Sequence, residues 1–358
     1  LPIFRSRRDA EITLGIYRRV SILIREGDPE GNPWGMSFMR MFDMANDSHL
    51  FRTRAELEGE GYVLAGNVFE RDGKRFLPLY EGKMLAAYDH RAADVVKSRS
   101  AQKRQNQPLY LTDREHRDPR RFAMPVAWVD EVQIPDGIPG WLTGFSDITS
   151  ATNERTVLSA ALPRSAVGHT YPLFFTSKPS YLALSILNSL PLDYVARQKV
   201  AGLHLTYAYV QQLPILPPWM YDQRTPWHSR SLLEDWVADR VDELVYTAWD
   251  MQPFALDVGD DAPPFVWDEE RRAWLRAELD AAYFHLYGLQ RDEVDHILDT
   301  FPIIRRKDEA RFGEYRTKRL VLEIYDAMAK AMATGQAYES PLDPAAGDGP
   351  RHPDEGWA

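Results

Sequence analysis

Residues 62–85 read YVLAGNVFERDGKRFLPLYEGKML. Two runs rich in aromatic, branched and other apolar side chains, 62–69 and 79–85, flank Arg71, Asp72, Gly73 and Lys74. An Asp-Gly pair supplies the positive-φ positions that a tight turn between antiparallel strands requires. The stretch therefore predicts paired strands and places a sheet in the first part of the chain. Further strand-like runs follow at 122–132, 141–148, 156–162 and 171–176, with a tight connection at 163–168. Residues 179–200 have helical spacing, with Leu182, Ile186, Leu187 and Leu190 on one side. Residues 203–213 read as one more strand, closed by Pro214 and the Pro217-Pro218 pair, a natural edge for a domain.

Beyond that edge the apolar period becomes helical. Helices are expected at 226–245, 268–286, 292–298 and 316–333, with stops at Gly288 and at Phe301-Pro302. Upstream of the sheet, 1–25 reads as a helix capped by Ser6, with Asp9 and Glu11 in its first turn. A Gly/Pro-rich stretch at 27–35 ends it. Residues 97–121 are polar and basic and read as a mobile excursion. Residues 336–358, rich in proline and glycine and without periodicity, are expected to be disordered. The fold class is α+β. A twisted, mostly antiparallel sheet with flanking helices spans 36–218, an acidic α-helical region spans 219–335, and a helix with its connector spans 1–35.

The chain has 358 residues and no cysteine, which excludes disulfides, zinc–thiolate sites and thiol nucleophiles and favours a reducing, cytoplasmic setting. No apolar run reaches the length needed to cross a membrane, so no membrane partner is expected. It opens on Leu1 in what reads as the middle of an element, and it is expected to be a piece of something longer. The net charge of −10 is unevenly spread: 1–200 carry 27 basic and 24 acidic side chains, and 201–300 carry 7 and 19. Residues 71–121 alone hold 13 basic and 7 acidic side chains. A basic segment beside an acidic one can confine a polyanion to one face.

Several catalytic signatures are missing. There is no glycine-rich strand-to-helix turn for S-adenosylmethionine, no Asn/Asp-Pro-Pro-aromatic tetrapeptide, and no phosphate-cradling loop ending in Lys-Ser/Thr. Asn32-Pro33-Trp34 lacks the second proline and reads as a turn. Glu81-Gly82-Lys83, with Asp72 upstream, imitates a magnesium nuclease, in which two carboxylates hold the metal and a lysine polarises water. Asp89-His90-Arg91 is a compact polar cluster, read either as a hydrogen-bonded structural corner or as a contact site.

Several strings, in order and spacing, resemble the C-terminal region of large N6-adenine DNA methyltransferases of type IIG restriction–modification systems and of phage-defence systems such as DISARM and BREX. They are LPIFRSRRDAE at 1–11, PLYEGKM at 78–84, YDHR at 88–91, DITSATNERT at 147–156, QLPILPP at 212–218, YGL at 287–289, ILDTFP at 297–302 and GEYRTK at 313–318. The resemblance covers nearly all of the chain except 336–358. It implies a DNA target-recognition domain followed by helices, with S-adenosylmethionine and a catalytic domain belonging to the parent enzyme and no catalytic residue or cofactor here. The implied partners are double-stranded DNA and that catalytic domain, on the same or a separate chain.

Duplex recognition needs cations for phosphates and a few side chains that hydrogen-bond base edges. The candidate cations are Lys83, Arg91, Lys103, Arg104, Arg120 and Arg121, with His90 beside them. Asn153 and Arg155, and Arg164, His169 and Thr170 around a hairpin-like tip, are the candidates for base contact. Two other readings stay open: a magnesium nuclease built on Asp72, Glu81 and Lys83, and a protein-interaction module whose acidic helices dock a partner.

Overall fold

The structure is a computed structural model that describes residues 3–97 and 106–354. It opens with α1 (Arg7–Arg19), and the Asp9 amide donates to Ser6 Oγ at 3.1 Å, the expected cap. β1 (Ser37–Met39) and α2 (Arg54–Gly59) follow, and Thr53 and Glu56 close a reciprocal capping box at the start of α2. The stretch 62–85 is a meander of three strands, β2 (Val63–Ala65), β3 (Val68–Arg71) and β4 (Lys74–Tyr80). The first expected strand is divided because Gly66 adopts φ +62° and turns the chain beside Asn67. Asp72 and Gly73, at φ +49° and +77°, make the turn foreseen between β3 and β4. The strand expected at 79–85 ends at Tyr80 and gives way to a 3-10 turn at Gly82–Met84.

The polar segment 97–121 is not an unstructured excursion where it is described. β5 (Ala93–Lys97) pairs antiparallel with β6 (Asn106–Tyr110), and α3 (Asp113–His116) follows with a Thr112–Glu115 capping box. Both strands are short and mix polar with apolar side chains without a period, so neither presents an apolar run to read. The expected sheet strands are shorter than their sequence runs: β7 (Trp128–Asp130), β8 (Trp141–Phe145), β9 (Ser159–Pro163), β10 (Ala166–Val167) and β11 (Leu173–Phe175).

Two sheets result. One has the order β1-β11-β8-β9 and is antiparallel throughout. In the other, β4 pairs with β3 and β7 antiparallel and with β10 in parallel, and β2 lies beyond β3. The fold is α+β with a helical C-terminal region. The expected helix at 179–200 is two helices, α4 (Ser180–Leu187) and α5 (Leu190–Lys199). Asn188 ends the first: its Oδ1 accepts from Ser159 N at 2.9 Å and its Nδ2 donates to Ser159 O at 2.8 Å, docking the break on β9. The expected strand at 203–213 is instead the short helix α6 (Tyr207–Gln211). A small hairpin of β12 (Arg224–Thr225) and β13 (His228–Leu232) leads into the C-terminal helices. These are α7 (Leu233–Val245), α8 (Gln252–Val258), α9 (Glu269–Leu286), α10 (Arg291–Asp299), α11 (Pro302–Phe312) and α12 (Arg316–Thr334).

The largest apolar core does not stop at 218. It joins Ile12 and Ile16 of α1 and Phe145 of β8 to Leu182 of α4, Val241 of α7, Leu279 of α9 and Met328 of α12. A second core, around Leu77, Leu142, Leu162 and Tyr171, fills the space between the sheets. The disorder expected at 336–358 is corrected for 336–354. Tyr338, Leu342 and Ala346 are buried in the large core, and Tyr338 Oη donates to the buried Glu278 Oε1 at 2.7 Å. An extended strap without period can still dock when single apolar and charged side chains find prepared partners, and no periodicity reports that. Among the described residues no helix is long and apolar enough to cross a membrane.

Candidate nucleic-acid interface

The Asp89-His90-Arg91 cluster follows β4 and is interior. His90 and Arg91 are 1% and 0% exposed, so neither offers a surface to a duplex. His90 Nε2 lies 2.8 Å from Asp250 Oδ1. Arg91 donates through Nη1 to the carbonyls of Asp118 (2.7 Å) and Arg121 (3.0 Å), and through Nη2 to that of Thr247 (2.7 Å). Burial pushes the Asp89 carboxyl up, but the hydrogen bond and charge of His116, with Arg272 nearby, outweigh it and hold the group at about 2. Of the two readings of this cluster, the geometry is that of a structural corner, and both residues are withdrawn as DNA contacts.

Other candidates are engaged at the surface. Lys83 Nζ is 3.0 Å from Glu81 Oε2 and donates to Asn106 O at 3.2 Å. Arg121 is held by Asp94 and by the Phe122 carbonyl, and Arg120 is exposed. Lys103 and Arg104 lie outside the described residues. Arg164 Nη1 donates to Ile138 O at 2.9 Å. His169 Nδ1 accepts from Met44 N at 3.0 Å, and the Thr170 carbonyl accepts from Asp147 N at 3.0 Å. The tip is thus stapled to its surroundings through His169 and Thr170.

The nuclease arrangement is not assembled. Asp72 sits in the β3–β4 turn and pairs with Arg71, whereas Glu81 follows the far end of β4. Seven extended residues separate them by roughly 20 Å. Among the described residues no three acidic, histidine or cysteine side chains gather in a way that could hold a metal ion.

Asn153 and Arg155 do come together with something. They line a cavity of about 1160 Å³ that reaches from Tyr110 of β6, past the 152–155 turn, to α9, α11 and the start of α12. The turn is fixed from behind: Arg197 Nη2 donates to Asn153 O at 2.7 Å, and Asp193 Oδ1 accepts from the amides of Thr156 and Val157 at 2.7 and 2.6 Å. Arg155 Nη2 is 3.7 Å from Asp280 Oδ2, and its buried Nη1 has no hydrogen-bond partner among the described residues. Burial pushes the Asp280 carboxyl up to about 6, which Arg155 opposes.

Sequence reasoning missed the helical side of this cavity: Arg276, Lys307, Arg311 and Arg316. Lys307 and Arg311 stand four residues apart on α11 and therefore share a face, a signal present in the sequence but diluted there by acidic neighbours. Three of the four are neutralised, Arg276 by Glu269, Lys307 by Glu154 and Arg316 by Glu270. Arg311 makes no ion pair among the described residues, and its guanidinium lies 5.0 Å from the centroid of the Phe312 ring.

Part of the acidic excess of 201–300 is internal: Asp242, Glu243, Glu278 and Asp280 are buried. Glu243 pairs with Arg271 and Glu278 with Arg240 at 2.9 Å, and all four are at most partly exposed. Asp235, Asp239, Asp257, Asp261, Asp268 and Glu270 remain exposed. No family model, curated protein or solved structure matches this chain.

Proposed function

We propose that the chain recognises duplex DNA sequence-specifically, as the specificity part of an N6-adenine DNA methyltransferase acting in restriction–modification or phage defence in the cytoplasm. One observation carries the reading. The segments 147–156 and 313–318, which resemble such enzymes and lie far apart in the sequence, meet at one cavity through Asn153, Arg155, Arg316 and Thr317. An exposed amide, with a half-buried guanidinium beside it, on a backbone fixed from behind is what base-edge readout requires. In this reading Asn153 and Arg155 face the duplex, S-adenosylmethionine and transfer chemistry belong to a separate catalytic domain, and this chain sets the register.

The experiment is selection of bound sequences from a randomised duplex library, with salt titration of the winning duplex. A log–log slope of about −4 to −7 corresponds to roughly 4–8 neutralised phosphates. Asn153→Ala relaxes preference at one base pair, by about 1–3 kcal/mol, with the slope unchanged. A library that returns no consensus overturns the reading.

A further inference from the structure

Tyr110 closes β6 and lines the cavity, yet it is 71% exposed and makes no ring contact among the described residues. An aromatic ring left open at the mouth of a cavity forgoes the burial that would stabilise it, which is explained if a ligand covers it. Lining the same cavity are the two cations whose charge is least neutralised. Arg311 has no ion pair among the described residues, and Arg155 has a distant carboxylate and an unpartnered Nη1. Asn153, on the 152–155 turn that lines the cavity, is exposed and offers both a donor and an acceptor. A planar ring, two guanidinium groups and an amide are the set with which proteins hold a nucleotide outside a duplex, by stacking its base and pairing its phosphate.

We propose that this cavity binds an unpaired nucleotide, with its base on Tyr110, its phosphate on Arg311 and Arg155, and Asn153 at the base edge. The inference rests on the DNA-recognition reading and deepens it. The site takes one nucleotide extruded from the bound duplex, and the base at which Asn153 sets preference is that one. A cavity of about 1160 Å³ holds a whole nucleotide with room for the adjoining backbone. An acidic peptide would satisfy the arginines but has no use for the exposed ring. The same chemistry has two sources, a DNA strand and a free nucleotide.

The test uses the full chain and a fluorescently labelled hexadeoxyadenylate, with binding read by anisotropy at low salt. The expected result is saturable binding that weakens about tenfold or more in Tyr110→Ala and is kept in Tyr110→Phe, since the ring and not the hydroxyl carries the contact. Arg311→Gln weakens binding and flattens the salt slope by about 0.7. Tyr110 is exposed and Arg311 unpaired, so unchanged melting curves are expected for all three variants. Competition identifies the source: displacement by deoxyadenosine monophosphate at matching concentration assigns the site to a free nucleotide, and displacement by unlabelled oligonucleotide alone assigns it to a strand. Wild-type affinity in Tyr110→Ala, or equal displacement by a glutamate-rich peptide of the same charge, overturns the proposal. Duplex binding is measured in parallel. If it persists while the oligonucleotide fails to bind, only this inference falls. If the oligonucleotide binds and no duplex does, the recognition reading falls instead.

Discussion

Arg91 Nη2 donates to the carbonyl oxygen of Thr247 at 2.7 Å, across 156 residues of sequence. That bond ties the corner after the β4 strand to the end of the α7 helix, and the same guanidinium holds the carbonyls of His116, Asp118 and Arg121. Replacement by Ala leaves several buried carbonyls without donors and opens a void. Arg91→Ala is expected to lose about 3–5 kcal/mol, and Arg91→Lys most of it, because one ammonium cannot span the same fork of acceptors. Urea unfolding checks this; a loss under about 1 kcal/mol would show the corner to be dispensable.

Truncation after Gly335 should destabilise the chain. It removes the buried side chains of Tyr338 and Leu342 and leaves Glu278 and Asp260 without Tyr338 and Arg351. Burial of two such side chains is worth about 4 kcal/mol, which lowers the melting temperature by roughly 5 °C in a chain of this size. A melting curve superimposable on that of the intact chain would contradict the docking of the strap.

Asp280 gives the stability a pH dependence with a definite sign. Its carboxyl is pushed by burial up to about 6, above its unfolded value, so the folded state holds the extra proton. The folded state is therefore penalised progressively as pH rises from roughly 4 through 6, by about 3 kcal/mol at full ionisation. Asp280→Asn keeps an acceptor for the Leu190 amide. Its stability relative to the parent chain is expected to grow between pH 4 and 7 and stay level above. A difference independent of pH would show that Asp280 ionises freely in the fold.

Gly144 in the β8 strand is a packing requirement. A Cβ there would lie 2.5 Å from Tyr171 Cε1 and 2.6 Å from the Pro172 carbonyl oxygen. Tyr171 cannot retreat, because its hydroxyl accepts from Ala160 N at 2.7 Å and the ring is fully buried. Gly144→Ala should cost about 2–3 kcal/mol. Because the Pro172 carbonyl belongs to the backbone, no side-chain change relieves the clash; a loss under about 1 kcal/mol in urea unfolding would show that the strand shifts to admit the methyl group.

The sequence conveyed local order well. The cap at Ser6, the Asp72-Gly73 turn and the long amphipathic helices were legible, because each depends on neighbours within a turn or two. The division of 179–200 was not, since Asn188 breaks the helix by bonding to Ser159, a partner no periodicity announces. The strap at 336–354 was hidden for the same reason, whereas a structural corner was one of the two readings that Asp89-His90-Arg91 offered. Of the cavity, the 152–155 turn was singled out. Tyr110 was passed over within a segment read as polar, and Arg311 among compensating charges on α11.

The α1 helix has a consequence for synthesis. Asp9 Oδ1 accepts from Tyr194 Oη and meets His296 Nε2, each at 2.9 Å, so its partners are made 185 and 287 residues later. At roughly 5–20 residues per second, the first helix leaves the ribosome about 15–60 s before its last partner is translated. Throughout that interval Ile12 and Ile16 face solvent or a chaperone, and the core around the α1 helix cannot close until the later helices arrive.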